Sequence, residues 1–285
     1  MSKPRLMIAR FPGNNQEHPA SSGWVMDLCG RLAREGEVDV VPFRRSDTPI
    51  TMVRNLAVKQ ALDQECDYIL MIDADMHPDL EVGRSLWARP FWDVAWPFLR
   101  NRRLREQAVG VPLPPATIAA PYCGPPPHEN VYVMEWRTFE SDTPNPSFAL
   151  GQVDREDAAR RSGIQEVAAL PTGLILYDAR VFAALPPPWF DYEWADPPFN
   201  TAKATTEDIF QTRNASLLKM PQYIAWDCWA GHIKLKTVGR PKPLTADVVS
   251  DQIAASVRAG HVSTERTFYG QPEMVPSHIE SEIIT

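Results

Sequence analysis

Along the first third of this 285-residue chain the apolar positions switch repeatedly between two periods. Leu6-Met7-Ile8-Ala9 is a short continuous apolar run, and it reads as a strand. Phe11-Pro12-Gly13-Asn14-Asn15 follows as a turn-rich loop. From Trp24 to Arg34 the apolar residues Val25, Leu28, Cys29 and Leu32 recur at helical spacing. Val38 to Val41 is a second strand. Ser46-Asp47-Thr48-Pro49 carries helix-start chemistry, and Met52, Val53, Leu56, Ala57 and Ala61 continue it. Tyr68 to Ile72 is apolar at every position, the mark of a strand buried on both faces. This β-α-β-α-β order predicts a parallel, right-handed sheet whose ligands bind at its carboxyl edge.

The following stretch is less regular. Val94-Ala95-Trp96 and Ile118 to Tyr122 read as strands, and Asn130 to Thr138 as a strand at an edge or in a hairpin. Glu166 to Leu170 and Leu174 to Tyr177 are short apolar strands separated by Pro171-Thr172-Gly173. Ala204 to Leu218 reads as a helix, Tyr223 to Trp226 and Ile233 to Leu235 as strands, and Thr245 to Ala259 as a C-terminal helix before a tail. Prolines gather at 112–115, 125–127, 186–188 and 197–198, where each group ends any helix or central strand and marks a loop.

Composition narrows the class. With 44% apolar residues the chain can bury a substantial core in one large domain. A net charge of −7 argues against a broad basic surface for nucleic acid. Arg100-Asn101-Arg102-Arg103-Leu104-Arg105 is a local basic cluster that reads as a solvated loop or helix end. Cys29, Cys66, Cys123 and Cys228 are too dispersed for a zinc ribbon or a disulfide framework. No apolar run has membrane-spanning length and Met1-Ser2-Lys3-Pro4 opens no signal segment, so a cytoplasmic protein is expected.

The chemistry concentrates where the third strand ends, in Asp73-Ala74-Asp75. Two acids at a sheet's carboxyl edge can hold a divalent cation, which in turn can hold a diphosphate. Alone, such a tripeptide is more often a turn or helix cap. Three further features follow the same order of chemistry: Arg54-Asn55 on the preceding helix, Thr206-Glu207-Asp208 opening a later helix, and Gly231-His232. Glu207 and Asp208 by themselves would suit a helix N-terminus.

Taken together, these motifs resemble the GT-A fold of nucleotide-sugar glycosyltransferases, closest to family-2-like members of the phage and bacterial kind. The resemblance spans roughly residues 5 to 240. It implies an α/β fold with a Rossmann-like, mostly parallel sheet flanked by helices, acceptor-side loops and a smaller antiparallel element. Residues 1–245 would form the glycosyltransferase domain, with a nucleotide-binding half (1–122) and an acceptor half (123–245), and residues 246–285 a C-terminal helix and tail. By that resemblance Asp73 and Asp75 match the metal-binding Asp-x-Asp, with Asp73 also near the ribose, and His232 matches a late histidine that completes the metal site. Asp208, with Glu207 beside it, matches the catalytic base. Arg54, Phe11 and Pro12 fall near the nucleotide, and Pro171-Thr172-Gly173 beside the acceptor. The implied cofactor is Mn²⁺ or Mg²⁺ and the donor a UDP- or GDP-sugar. The acceptor is a glycan, a protein or a modified phage DNA base, and inversion is the expected outcome. The segment from Pro186 to Ala204 has no counterpart in that pattern.

Three alternatives compete. Nucleotidyl transfer onto a sugar phosphate uses a similar sheet, but the Phe11–Asn15 loop lacks the glycine richness expected for it. Haloacid-dehalogenase-like phosphatases carry an Asp-x-Asp after the first strand, whereas here two β-α units precede it. A nucleotide-sugar or glycan-binding module without turnover would not need Glu207-Asp208. Sugars also stack on aromatic faces, so Trp189, Trp194, Trp226 and Trp229 are candidates to line an acceptor site, while packing is the expectation for the other tryptophans.

Overall fold

The computed structural model describes residues 3–12, 17–46, 48–125, 129–139, 147–195, 203–233 and 237–238. In chain order the elements are β1 (Arg5–Phe11), α1 (Pro19–Glu35), β2 (Asp39–Arg44), α2 (Ile50–Asp63), β3 (Tyr68–Asp73), β4 (Met76–His77), α3 (Phe91–Val109) and β5 (Thr117–Ala119). They continue with β6 (Met134–Phe139), β7 (Ser147–Gln152), α4 (Arg155–Arg160), β8 (Ile164–Val167), β9 (Leu174–Asp178), α5 (Arg180–Ala184), β10 (Glu193–Trp194) and β11 (Lys203–Thr205). The last are α6 (Glu207–Leu217), β12 (Gln222–Ala225), β13 (Gly231–Ile233) and β14 (Thr237–Val238).

A seven-stranded sheet in the order β2-β1-β3-β9-β5-β12-β8 forms the centre. β1 is parallel to β2 and β3, and β12 is parallel to β5. β9 runs antiparallel to both β3 and β5, and β8 antiparallel to β12. The fold is therefore α/β with a mostly parallel sheet and smaller antiparallel sheets beside it. Along β3 the side chains alternate between faces. Ile69 and Met71 join a core with Val53, Ala57 and Ala61 of α2. Tyr68, Leu70 and Ile72 join a second core with Val25, Leu28 and Leu32 of α1 and Phe91 and Trp96 of α3. Covering both faces explains the unbroken apolar run, and each fully buried large aliphatic is worth about 1.5–3 kcal/mol.

The segment Val94-Ala95-Trp96 is helical, not a strand. Trp92, Ala95, Trp96 and Leu99 recur at helix spacing and are all buried, so one continuous face docks on the sheet. The Asp79 carboxylate accepts from the Phe91 amide at 2.7 Å and satisfies a first-turn donor. The helix ends where Gly110 enters the left-handed region at φ 71° and its amide returns to the Glu106 carbonyl. Its arginines are not simply solvated. Arg100 pairs with Glu37, and Arg103 bonds Asp67 and Asp178. The expected strand near Asn130–Thr138 is the hairpin strand β6, paired with β7. The expected C-terminal helix at 245–259 and tail lie outside the described residues, as do Gly13 to Asn15 of the first loop. Among the described residues no helix is long and apolar enough to cross a membrane.

Candidate active site

Asp73 ends β3, so its side chain emerges at the carboxyl edge of the parallel strands. The next strand down the sheet runs the other way, which brings the start of β9 to the same edge. The Asp73 amide donates to the Gly173 carbonyl at 2.9 Å, and the Ala120 amide, just past β5, donates to the Leu174 carbonyl at 3.0 Å. Two residues later the chain turns into β4, which pairs antiparallel with β13 in the register His232 to Met76. The Ile233 amide donates to the Asp75 carbonyl at 2.7 Å. Backbone pairing thus sets His232 beside Asp75, with His232 Nε2 3.3 Å from Asp75 Oδ2.

The first turn of α6 faces the same space. Together these elements enclose a cavity of about 190 Å³ lined by Arg54, Asp73, Asp75, Glu207, Asp208 and His232, with Thr206, Tyr122 and Tyr132 completing the wall. The volume is below the ~300 Å³ at which pockets enclose whole drug-sized ligands. It suits the reacting part of a substrate whose remainder extends along the sheet edge.

Arg54 organises the floor. It is 2% exposed and sits between two rings, its guanidinium carbon 5.8 Å from the centroids of both Phe11 and Phe190. Its Nη2 donates to both oxygens of Asp73 at 2.9 Å, and its Nη1 donates to Glu207 Oε1 at 2.7 Å. Neighbouring Asn55 donates to the Phe190 carbonyl at 2.8 Å and accepts from the Trp189 and Phe190 amides at 3.0 Å. The two adjacent residues on α2 therefore tie the acidic strand, the acidic helix start and part of the proline-rich segment into one unit.

Asp208 is bound differently. Its Oδ1 accepts from the Thr206 hydroxyl and, at 2.9 Å, from the Ile209 amide. Its Oδ2 receives no hydrogen bond among the described residues. Helix capping and exposure of one oxygen to the cavity coexist in this side chain. Burial raises Asp208 above the ordinary carboxylate range, against the lowering pull of Thr206 and Arg54. Burial likewise raises Asp73 and Glu207, opposed in both by Arg54.

Among the described residues the cavity wall holds four carboxylates against one guanidinium. His232 Nδ1 lies 3.0 Å from the Cys123 carbonyl, which can only accept, so this nitrogen carries the hydrogen. The ring's Nε2 faces the Asp75 carboxylate at the cavity wall. One imidazole nitrogen and one carboxylate oxygen suit Mn²⁺. Asp73 is turned onto Arg54 instead. Among the described residues no three His, Cys, Asp or Glu side chains are arranged to hold an ion by themselves. Sites of this kind take their remaining ligands from substrate phosphate and water.

Of the residues singled out from the sequence, Arg54, Asp73, Asp75, Glu207, Asp208 and His232 thus line one cavity. Phe11 and Pro12 do not; Phe11 is a core residue beneath Arg54. The tryptophans are also elsewhere. Trp226 and Trp229 are core residues, and Trp189 donates to the Phe182 and Leu185 carbonyls. The aromatic wall comes from Tyr122 and Tyr132, which the sequence reading overlooked.

No protein-family model matches the chain, and no curated protein matches it. Among solved structures it is similar to A197 from STIV, with 11% identity and a TM-score of 0.47 over 85% of this chain and 96% of that one. It is also similar to a putative glucose-1-phosphate thymidylyltransferase from Bacillus anthracis, at 9% identity and a TM-score of 0.30 over 94% and 99% of the two chains. A UDP-glucose pyrophosphorylase complexed with UDP-glucose stands at 9% identity and a TM-score of 0.33 over 91% and 100%. The functional reading rests on the cavity itself.

Proposed function

We propose that the protein is a metal-dependent glycosyltransferase of the GT-A type, moving a sugar from a nucleoside-diphosphate sugar to an acceptor hydroxyl with inversion. The observation that carries this reading is the meeting of an Asp75–His232 pair with a buried, half-free Asp208 across one small acidic cavity. A diphosphate cannot enter a space with four carboxylates and one guanidinium unless a cation accompanies it. Asp75 and His232 would hold that cation, which when bound neutralises negative charge growing on the leaving diphosphate.

The chain's own groups do the rest. The acceptor oxygen forms a bond to the anomeric carbon as the bond from that carbon to the diphosphate oxygen breaks. Asp208 Oδ2 takes the acceptor's hydroxyl proton as the attack proceeds. Its raised pKa brings its basicity closer to neutral pH, which suits proton transfer there. Glu207 is the weaker candidate, because Oε1 is committed to Arg54. Arg54 fixes Asp73 and Glu207 so that their charges stay on the floor and do not swing into the path of the sugar.

A sugar-phosphate nucleotidyltransferase is the second reading. It would have to seat a triphosphate, whose larger negative charge meets the same four carboxylates. The deciding experiment is a thermal-shift panel of UDP-, GDP-, TDP- and CMP-sugars with and without Mn²⁺, followed by assay of the released product. Metal-dependent stabilisation and release of nucleoside diphosphate, lost in Asp75→Ala and Asp208→Ala, support the proposal. Release of pyrophosphate, or full turnover in both variants, defeats it.

A further inference from the structure

Two glycines in this chain are glycine for the sake of two tyrosines. A Cβ on Gly173 would come within 2.8 Å of both Met76 Sδ and Tyr122 Cε1 and 2.9 Å of Tyr122 Cζ. A Cβ on Gly124 would come within 2.4 Å of the Tyr132 hydroxyl and 3.1 Å of its Cζ. Neither glycine has the positive φ that would demand glycine on backbone grounds. The omitted side chains make room, at separate places in the chain, for the phenol ends of rings that both border the cavity.

The rings pack as a unit. Tyr122 meets Tyr132 with centroids 5.5 Å apart and meets His232 edge to face at 5.1 Å. Neither hydroxyl makes a hydrogen bond among the described residues. A phenol hydroxyl can donate as well as accept.

We propose that Tyr122 and Tyr132 form a seat for a pyranose ring of the acceptor, so that the acceptor is a carbohydrate. The inference rests on the glycosyltransferase reading and deepens it. The chemistry of the wall fits a sugar twice over. The half-buried Tyr132 ring offers apolar surface to the C–H side of a pyranose, and the phenol hydroxyls meet the ring's own hydroxyls. Its position beside Asp208 Oδ2 puts a seated sugar's hydroxyl next to the group that takes the proton. A nucleic-acid acceptor would bring phosphodiesters toward four carboxylates. A serine or threonine side chain has no ring to cover either phenol.

The test is saturation-transfer NMR with defined probes. Methyl glucopyranoside, galactopyranoside, mannopyranoside and N-acetylglucosaminide, each as both anomers, are offered to the protein with Mg²⁺ and either UDP or GDP. N-Acetylserine amide and 5-hydroxymethyl-2′-deoxycytidine serve as the competing classes. The expected result is that at least one glycoside binds and the other two classes do not. Tyr132→Ala should weaken that glycoside at least tenfold with nucleotide–Mg²⁺ affinity unchanged, and Tyr122→Ala should weaken it as well. Tyr132→Phe, which keeps the ring and the packing, should weaken it by less. Preference for the serine or deoxycytidine probe, or glycoside binding untouched in all three variants, overturns the proposal. Nucleotide–Mg²⁺ binding with no glycoside bound overturns it and leaves the glycosyltransferase reading standing. Failure of the unmodified protein to bind either nucleotide overturns both.

Discussion

Replacing Arg54 with methionine is the sharpest test of how the cavity floor is held. The substitution keeps an unbranched, helix-compatible side chain between the Phe11 and Phe190 rings but removes the only guanidinium that the described residues bring to the cavity wall. Three charge-assisted hydrogen bonds disappear, and the partly buried Asp73 and Glu207, 24% and 13% exposed, lose their counter-ion. Breaking a buried pair by deleting one partner costs about 3–5 kcal/mol, because the remaining charge is not returned to water. A domain of this size loses about 2–4 °C in Tm per kcal/mol, so the expected fall is roughly 6–20 °C. The sign of its pH dependence follows from the two acids. Burial already raises both with Arg54 present, and removing the cation raises them further. A raised folded-state pKa means that the folded protein gains stability on binding the proton and loses it as pH rises through that value. The deficit of the variant should therefore be large at pH 8 and shrink toward pH 5.5. Thermal unfolding followed by circular dichroism at both pH values measures this. Arg54→Lys should recover only part of the loss, since one ammonium cannot bridge both carboxylates as the planar fork does. A Tm for Arg54→Met within a degree or two of the parent at pH 8 would refute the account of the floor.

Three further outcomes are expected. The acid limb of the transfer rate should lie above the ordinary carboxylate range, because Asp208 must be ionised to accept a proton and burial raises it; Asp208→Asn should retain nucleotide binding and lose that limb together with at least a hundredfold in rate. His232→Ala should raise the Mn²⁺ concentration needed for half-maximal rate at least tenfold while leaving Tm within a few degrees, read from metal titrations of the assay. At the opposite end of the sheet burial pushes Asp178 up, but hydrogen bonds from Arg103 and Arg180 outweigh it and hold the carboxyl below its usual value. Its contribution to stability is present above the unfolded pKa and is lost as pH falls through the folded one, so Arg103→Met should shift acid unfolding to higher pH in a fluorescence-monitored titration.

Much of the frame was legible because its signals are local. An apolar run such as Tyr68–Ile72 has few readings, and its abrupt end in acids is visible without knowing any partner. The direction of β9 was not legible, since Leu174–Tyr177 presents the same apolar run whichever way it lies, and only pairing with β3 and β5 settles it. Val94-Ala95-Trp96 read as a strand from three consecutive apolar residues, whereas it lies in a helix that carries Pro97 within it. Arg54 was identified as a site residue, but a helical arginine looks the same whether it meets a nucleotide or two acids from elements far away in sequence. Trp226 and Trp229 attracted attention as flat surfaces for sugars, and the two cores absorbed their neighbourhood instead. The tyrosine wall left little trace in the sequence, because Gly124 beside Pro125 and Gly173 after Pro171-Thr172 read as ordinary loop glycines. That trace becomes meaningful only once the rings that occupy the missing volume are seen.

One consequence lies in β9. It is the shared neighbour through which the strand bearing Asp73 and the strand leading to Tyr122 are aligned, by amide bonds to the consecutive carbonyls of Gly173 and Leu174. The height of the ionic half of the cleft relative to the aromatic half is thus indexed by main-chain atoms that no side-chain substitution removes. A lineage built on this scaffold is free to exchange the groups on either half, and so to trade one substrate for another, without drifting out of alignment.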